Sequence, residues 1–303
     1  MKFRPWLWAV PVLAIFLAFG ATGNAQQIAF TWDDLPAHSA LPPGETRVEI
    51  GRKLIQAMKD EHLPPVYGFV NGVQLEREPA SAPMLKDWRD AGFQLGNHGW
   101  SHMNLNTSSA AEWEQDVLSN EPVLQQNAGD WHWMRFPFLA EGDTPEKRAE
   151  TRNFLAARRY RIAAVTMSFG DYMWNEPYAR CVAKNDTESI ARLETTFLEA
   201  AAGDADLRRA MAKSIFGHDI PYVLLMHVGA FDARMLPRLL KMYRDKGFAF
   251  VTLEQAEKDP FYRTSMDPSL PQEPDSLEGA LQARGLPWPP RAKMTLDVGS
   301  VCK

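Results

Sequence analysis

A chain of 303 residues, 45% of them hydrophobic, is long and apolar enough to bury one sizeable core. Its 33 basic and 38 acidic residues give a formal charge of −5 without basic runs, which excludes an electrostatic footprint for nucleic acid and a polybasic hold on a membrane surface. Only two cysteines are present, Cys181 and Cys302, so a thiolate metal cluster is excluded and one disulfide is the most they can form.

Lys2 and Arg4 precede an apolar run from Trp6 to Gly20, and small residues follow to Ala25. This three-part form predicts an export signal over 1–25 and a mature chain of about 278 residues, periplasmic or secreted. An uncleaved anchor is the alternative, though the run is short for a full span. No later segment is apolar enough to insert stably in a membrane. In an oxidising compartment Cys181 and Cys302 are a disulfide candidate, left open because pairing geometry is not legible in a sequence.

The first strand is expected at Gln27–Thr31, followed by a helix over Glu45–Asp60 with Leu54, Ile55 and Met58 on one face. A strand at Val66–Val70, a helix at Ala82–Asp90 and a short strand at Phe93–Leu95 come next. A helix over Ser109–Gln126 containing Pro122, a strand at Trp133–Arg135 and a helix from Pro145 continue the alternation. Strands at Arg161–Val165, Tyr222–Met226 and Phe248–Val251 complete it, the last two flanking a helix over Asp232–Lys246. A helical insertion is expected at about 185–216, and a proline-rich, irregular tail over 260–303 after a main folded unit spanning 26–259.

Strand–helix alternation argues for a parallel sheet. Asp33-Asp34, His98, Arg135, Asp171 and His227 each follow directly on an expected strand. A parallel barrel collects such positions on one rim, whereas an open sheet gathers fewer of them into one crevice. The expectation is therefore an α/β fold, a distorted (β/α) barrel of seven or eight parallel strands in a single domain.

The polar residues at those strand ends suit a hydrolytic metal centre. One carboxylate and two histidines hold an ion and leave a position for water, while the second carboxylate and the lone histidine serve as base and acid. Alone, an HxxxH pair is weak evidence and an Asp-Asp pair is more often a turn or cap. Their shared place at strand ends is what strengthens both. His38 lies in the loop after the aspartates, where an exposed loop histidine competes with one that reaches substrate.

Thr31-Trp32-Asp33-Asp34 resembles the Thr-Phe-Asp-Asp signature of polysaccharide deacetylases, the NodB-homology family of carbohydrate esterases. His98-Gly99-Trp100-Ser101-His102, Arg135-Phe136-Pro137-Phe138, Asp171-Tyr172-Met173-Trp174 and Leu225-Met226-His227 are similar to its four further motifs, in family order. The resemblance implies a metal held by Asp34, His98 and His102, with Zn²⁺ expected and Co²⁺ or Ni²⁺ compatible with such a site. It also implies Asp33 as base held by Arg135, the Phe138 N–H at the oxyanion, Trp174 walling the acetyl pocket and His227 as acid. The substrate implied is an N-acetylated oligo- or polysaccharide. Three positions depart from the family pattern. Leu35 and Leu139 replace glycines, and Gly170 stands where the acid that tunes the catalytic histidine belongs, with Asp171 one position later. Two rival readings keep the scaffold: a metal-dependent amidase acting on a small non-sugar amide, and a non-catalytic glycan-binding protein.

Overall fold

The computed structural model describes residues 26–127, 129–271, 276–291 and 296–303. The expected export signal and Pro274 of the tail lie outside the described residues. Among these, seven strands form one sheet: β1 Gln26–Leu35, β2 Tyr67–Val70, β3 Gln94–Asn97, β4 Trp133–Met134, β5 Arg161–Ile162, β6 Tyr222–His227 and β7 Phe248–Phe250. All pairings are parallel. The order is β5-β4-β3-β2-β1-β6, with β7 paired to the opening residues of β1.

Every residue from Ile28 to Leu35 is buried. Such unbroken burial is typical of a parallel strand covered on both faces, and it makes β1 the axis of the core. Beyond β5 the chain runs on to a single parallel bridge between Met167 and Leu224 of β6. The Thr166 and Met167 N–H groups both donate to the Val223 carbonyl, at 3.1 and 3.0 Å. The barrel is thus closed by one bridge instead of a full strand, which gives the expected distorted (β/α) barrel with seven strands.

Helices surround the sheet. Arg47–Asp60 begins with a capping box between Thr46 and Glu49 and buries Ile50, Leu54 and Met58. Ala110–Asn127 continues through Pro122. The expected insertion is one 30-residue helix, Thr187–Phe216, begun by the Asp186 side chain accepting from Ser189 N and ended at Gly217 with φ 80°. Helix Asn175–Ala183 carries Cys181, which is bonded to Cys302 of the tail. No helix among the described residues is long and apolar enough to cross a membrane.

Three local expectations change. β1 extends to Leu35, so Asp33 and Asp34 belong to the strand and do not follow it. Asp171 does not follow a strand either: β5 ends at Ile162, and Asp171 opens a short 3₁₀ turn, Asp171–Trp174. The tail is not wholly irregular, because Leu277–Ala283 is a helix that buries Leu277 and Leu281 against the core. Its proline-rich flanks masked that short apolar stretch.

Candidate active site

The site sits where β1, β3, β4 and β6 end. Adjacent side chains on a regular strand point to opposite faces. The β1–β2 register shifts between Trp32 and Leu35, and Asp34 has φ 62°. This irregularity re-aims the strand's last residues and lets both carboxylates reach one rim.

Asp34 Oδ1 lies 3.5 Å from His98 Nε2 and 3.5 Å from His102 Nε2. One ligand atom from each of the three residues falls within 4.8 Å of the others, so together they could hold a metal ion. Two observations fit that group. Asp34 Oδ1 is buried with no hydrogen-bond partner, and the His98 Nδ1–H donates to the Arg135 carbonyl at 2.6 Å, which turns the Nε2 lone pair toward the cluster. Burial pushes the Asp34 carboxyl up, but His98, His227, His102 and His38 outweigh it and hold it below the usual carboxylate range. Burial keeps the His102 ring low, hence neutral and able to ligate.

The turn carrying the two histidines is fixed from beneath. Asn71 Nδ2 donates to the carbonyls of His98 and Gly99, at 2.6 and 3.1 Å. The Asp116 carboxylate accepts from Ser101 N at 3.0 Å. Gly99 has φ 70°, and a Cβ there would meet Asp116 Oδ2 at 2.6 Å. Glycine is required on both counts.

Arg135 is fully buried and spends its donors on the rim: Nη1 to Asp33 Oδ1 and Oδ2 at 3.0 and 3.2 Å, Nη2 to Thr31 Oγ1 at 3.0 Å, Nε to Ala163 O at 3.0 Å. Asp33 is therefore held as an oriented carboxylate, its Oδ2 3.7 Å from His98 Nε2. In the parallel register Asp33 stands directly beside His227.

His227 Nδ1 lies 3.0 Å from Asp171 Oδ1, and the His227 backbone N–H donates to Asp171 Oδ2 at 2.6 Å. Whether Asp171 reaches this histidine, left open by the shifted motif, is answered by that contact. Gly170, with φ 73°, turns the chain so that the carboxylate points under the ring. Burial lowers the imidazole, but Asp171, then Asp34 and Asp33, override it and raise its pKa to about 10. Protonated on Nδ1 against Asp171, His227 presents Nε2 to the site.

Phe138 is exposed, its ring centroid 4.4 Å from that of His102. Trp174 is fully buried, packs on Phe169 and Phe197, and donates through Nε1 to Thr196 Oγ1. The long helix after residue 186 supplies an apolar bed that draws the indole inward. Tyr172 stands at the rim instead, 46% exposed, its ring 5.2 Å from His227 and 6.0 Å from His38. His38 is nearer the site than a free loop residue. Its N–H donates to the Val228 carbonyl at 2.7 Å, and its Nε2 lies 3.6 Å from Asp34 Oδ2. Asn175 and Asp232, both fully buried behind His227, gave no sequence signal beyond Asp232 as an expected helix start.

Residues 20–156 match the family model described as Polysaccharide deacetylase. A peptidoglycan-N-acetylglucosamine deacetylase of Bacillus cereus is 26% identical over 112 residues, 37% of this chain and 36% of that protein. The match therefore spans about a third of the relative's length. The fold is shared with a chitin deacetylase of the fungus Colletotrichum lindemuthianum at TM-score 0.54 and 20% identity, covering 76% of this chain and 86% of that one. It is also shared with a family 4 pseudoenzyme of Bacillus anthracis at TM-score 0.54 and 14% identity, covering 77% and 66%. The resemblance read from the motifs at residues 31–34, 98–102 and 135–138 is borne out by the family match over residues 20–156.

Proposed function

We propose that this chain, whose residues 20–156 match the polysaccharide deacetylase family, is a metal-dependent hydrolase removing N-acetyl groups from an N-acetylated glycan of chitin, peptidoglycan or exopolysaccharide type. The observation that carries this reading is the register pairing of Asp33 with His227 beside the Asp34–His98–His102 cluster. We assign Zn²⁺ to that cluster, with Co²⁺ or Ni²⁺ also suited to a His₂Asp set. When bound, the ion supplies Lewis acidity toward the attacking water and the amide oxygen.

The chain's own residues do the rest. Asp33, oriented by Arg135, takes the proton from water. The Phe138 N–H, set on a turn with φ 58°, donates to the oxygen on which charge develops. An amine leaves poorly as an anion, and His227, held protonated by Asp171, delivers a proton from Nε2. Tyr172 and Phe138 flank the opening with aromatic surface on which a sugar ring can stack. The Cys181–Cys302 bond supports export to an oxidising compartment.

The test is acetate release from N-acetylglucosamine oligomers and peptidoglycan, against a panel of small cyclic amides, with and without chelator. Chelator-sensitive release from a glycan is expected. Turnover of the cyclic amides alone would identify an amidase, and glycan binding with no release at saturating Zn²⁺ a non-catalytic protein.

A further inference from the structure

Behind His227 lies a second carboxyl that the proposed chemistry does not use. Asp232, in the first turn of helix Ala230–Asp245, is fully buried, and so are Asp171 and Asn175. Asp232 Oδ2 accepts from Asn175 Nδ2 at 2.7 Å, while Asn175 Oδ1 accepts from Phe231 N at 2.8 Å. The amide of Asn175 is thereby fixed, with its N–H₂ toward Asp232. Gly229 makes room for it, since a Cβ there would meet Asn175 Oδ1 at 2.2 Å. The other oxygen, Asp232 Oδ1, is buried and has no hydrogen-bond donor among the described residues. The Asp171 carboxyl lies within hydrogen-bonding reach of the Asp232 side chain.

Two buried carboxylates in contact cannot both be ionised without a cation between them. Asp171 already accepts twice from His227, through the backbone N–H and Nδ1. The proton between the two acids therefore belongs to Asp232. We propose that Asp232 is a positioning residue of this site: a neutral carboxylic acid whose Oδ1–H donates to Asp171 and locks that carboxylate beneath the imidazole of His227.

Burial is the first cause that raises the Asp232 carboxyl well above its ordinary range, and the Asp171 charge the second. Asn175 and His227 pull the other way and do not prevail. The groups facing His227 are Asp171 from the 3₁₀ turn, Asp33 and Asp34 from β1 and His38 from the following loop. Tyr243, from the helix that carries Asp232, adds a buried hydroxyl on the Asp171 side. A neutral Asp232 adds no negative charge to this set. It stabilises the Asp171 anion and tempers its hold on the His227 proton, so that the proton can be delivered.

This inference rests on the proposed deacetylase reading only for its activity arm. Asparagine reproduces the neutral acid: its carbonyl accepts from Asn175 and its N–H donates to Asp171. In Asp232→Asn, the His227 imidazole followed by NMR should titrate within about half a pH unit of the wild type, and acetate release should stay within about threefold. Asp232→Ala lacks the donor and should lose about tenfold in kcat, with its basic limb moved to higher pH. Infrared spectra of the wild type at neutral pH should carry the C=O stretch of a buried carboxylic acid, absent from Asp232→Asn. A fall of more than one unit in the His227 titration of Asp232→Asn would mean an ionised Asp232 and overturn the proposal, as would equal losses in the Asn and Ala variants. If Asp232→Ala does not fold, the NMR and infrared comparison of wild type with Asp232→Asn still decides. A wild type that releases no acetate removes the deacetylase reading and leaves those two spectroscopic readouts standing.

Discussion

The two sides of the site are put together differently. On the side of the candidate metal cluster, Asp33 and Asp34 lie at the end of β1, His98 directly follows β3, and Arg135 directly follows β4. Their places are set by the hydrogen-bonded registers of neighbouring parallel strands. On the other side only His227 belongs to a strand. Its partners come from a 3₁₀ turn, two helices and a loop, through Asp171, Asn175, Asp232 and His38. These are joined by buried polar contacts with no strand ladder between them. The first arrangement leaves little freedom to each motif residue. The second can lose a motif position and recover the contact, as Asp171 does one residue later than the family pattern places its acid.

The comparison breaks most sharply if the ladder side is not where chemistry is concentrated. Asp33→Asn keeps the shape and one Arg135 hydrogen bond, through its remaining carbonyl oxygen, but removes the proposed base. We expect kcat to fall by about 10²–10⁴, with metal content and fold unchanged. A loss under tenfold would place the base elsewhere.

The network side is tested by Asp171→Asn. His227 loses its principal anionic partner, so its pKa, raised to about 10, should drop by about 1–3 units. The protonated acid is present below that pKa and lost above it. The basic limb of the pH–rate profile should therefore move to lower pH by the same interval, with activity at the acidic end least affected. An unmoved limb would mean that Asp171 fixes only the backbone N–H of His227.

This contrast also explains how much could be read from sequence. That Asp34, His98, His102, Asp33 and His227 converge was legible because a strand end fixes where a short motif points. The parallel barrel was legible from strand–helix alternation and from polar residues at strand ends, and the helix Thr187–Phe216 falls within the helical stretch expected at about 185–216. The full burial of Trp174 was not legible because its neighbours are the Phe197 ring and the Thr196 hydroxyl, more than twenty residues on, and nothing local records them. Asp232 reads in sequence as an acidic residue at a helix start, a common surface choice. Only the packing of Asp171 and Asn175 against it turns it into a buried acid. Tyr172 was hidden for the same reason, and His38 stayed open between an exposed loop residue and one that reaches substrate: their neighbours come from other elements.

A smaller effect is expected from the Cys181–Cys302 bond, which ties the helix carrying Asn175 to the tail across 121 residues. Replacing both cysteines by serine should cost about 2–4 kcal/mol of unfolding free energy. Hydrogen exchange should accelerate more over 175–183 than over β1 and β3, because the network side relies on that helix and the ladder side does not. Uniform acceleration across both regions would erase the distinction.

The smallest effect concerns Leu139, at the edge of the ladder side. Phe138 and Leu139 adopt φ 58° and 53° in succession, the left-handed region that costs an L-residue about 1–2 kcal/mol. The family pattern has glycine at Leu139, and glycine would remove that cost while adding roughly 0.5–1 kcal/mol of unfolded-chain freedom. Leu139 is 48% exposed, so little burial is lost on its removal. Leu139→Gly should therefore stabilise by about 0.5 kcal/mol, a rise of roughly 1–2 °C in Tm for a chain of this size. The side chain does line a cavity of about 300 Å³ with Arg208 and Glu278. A drop of several degrees in Tm would mean that this contact outweighs the backbone strain. The turn bearing Phe138 would then be held by side-chain packing, as the His227 side is, and the ladder would end at Arg135.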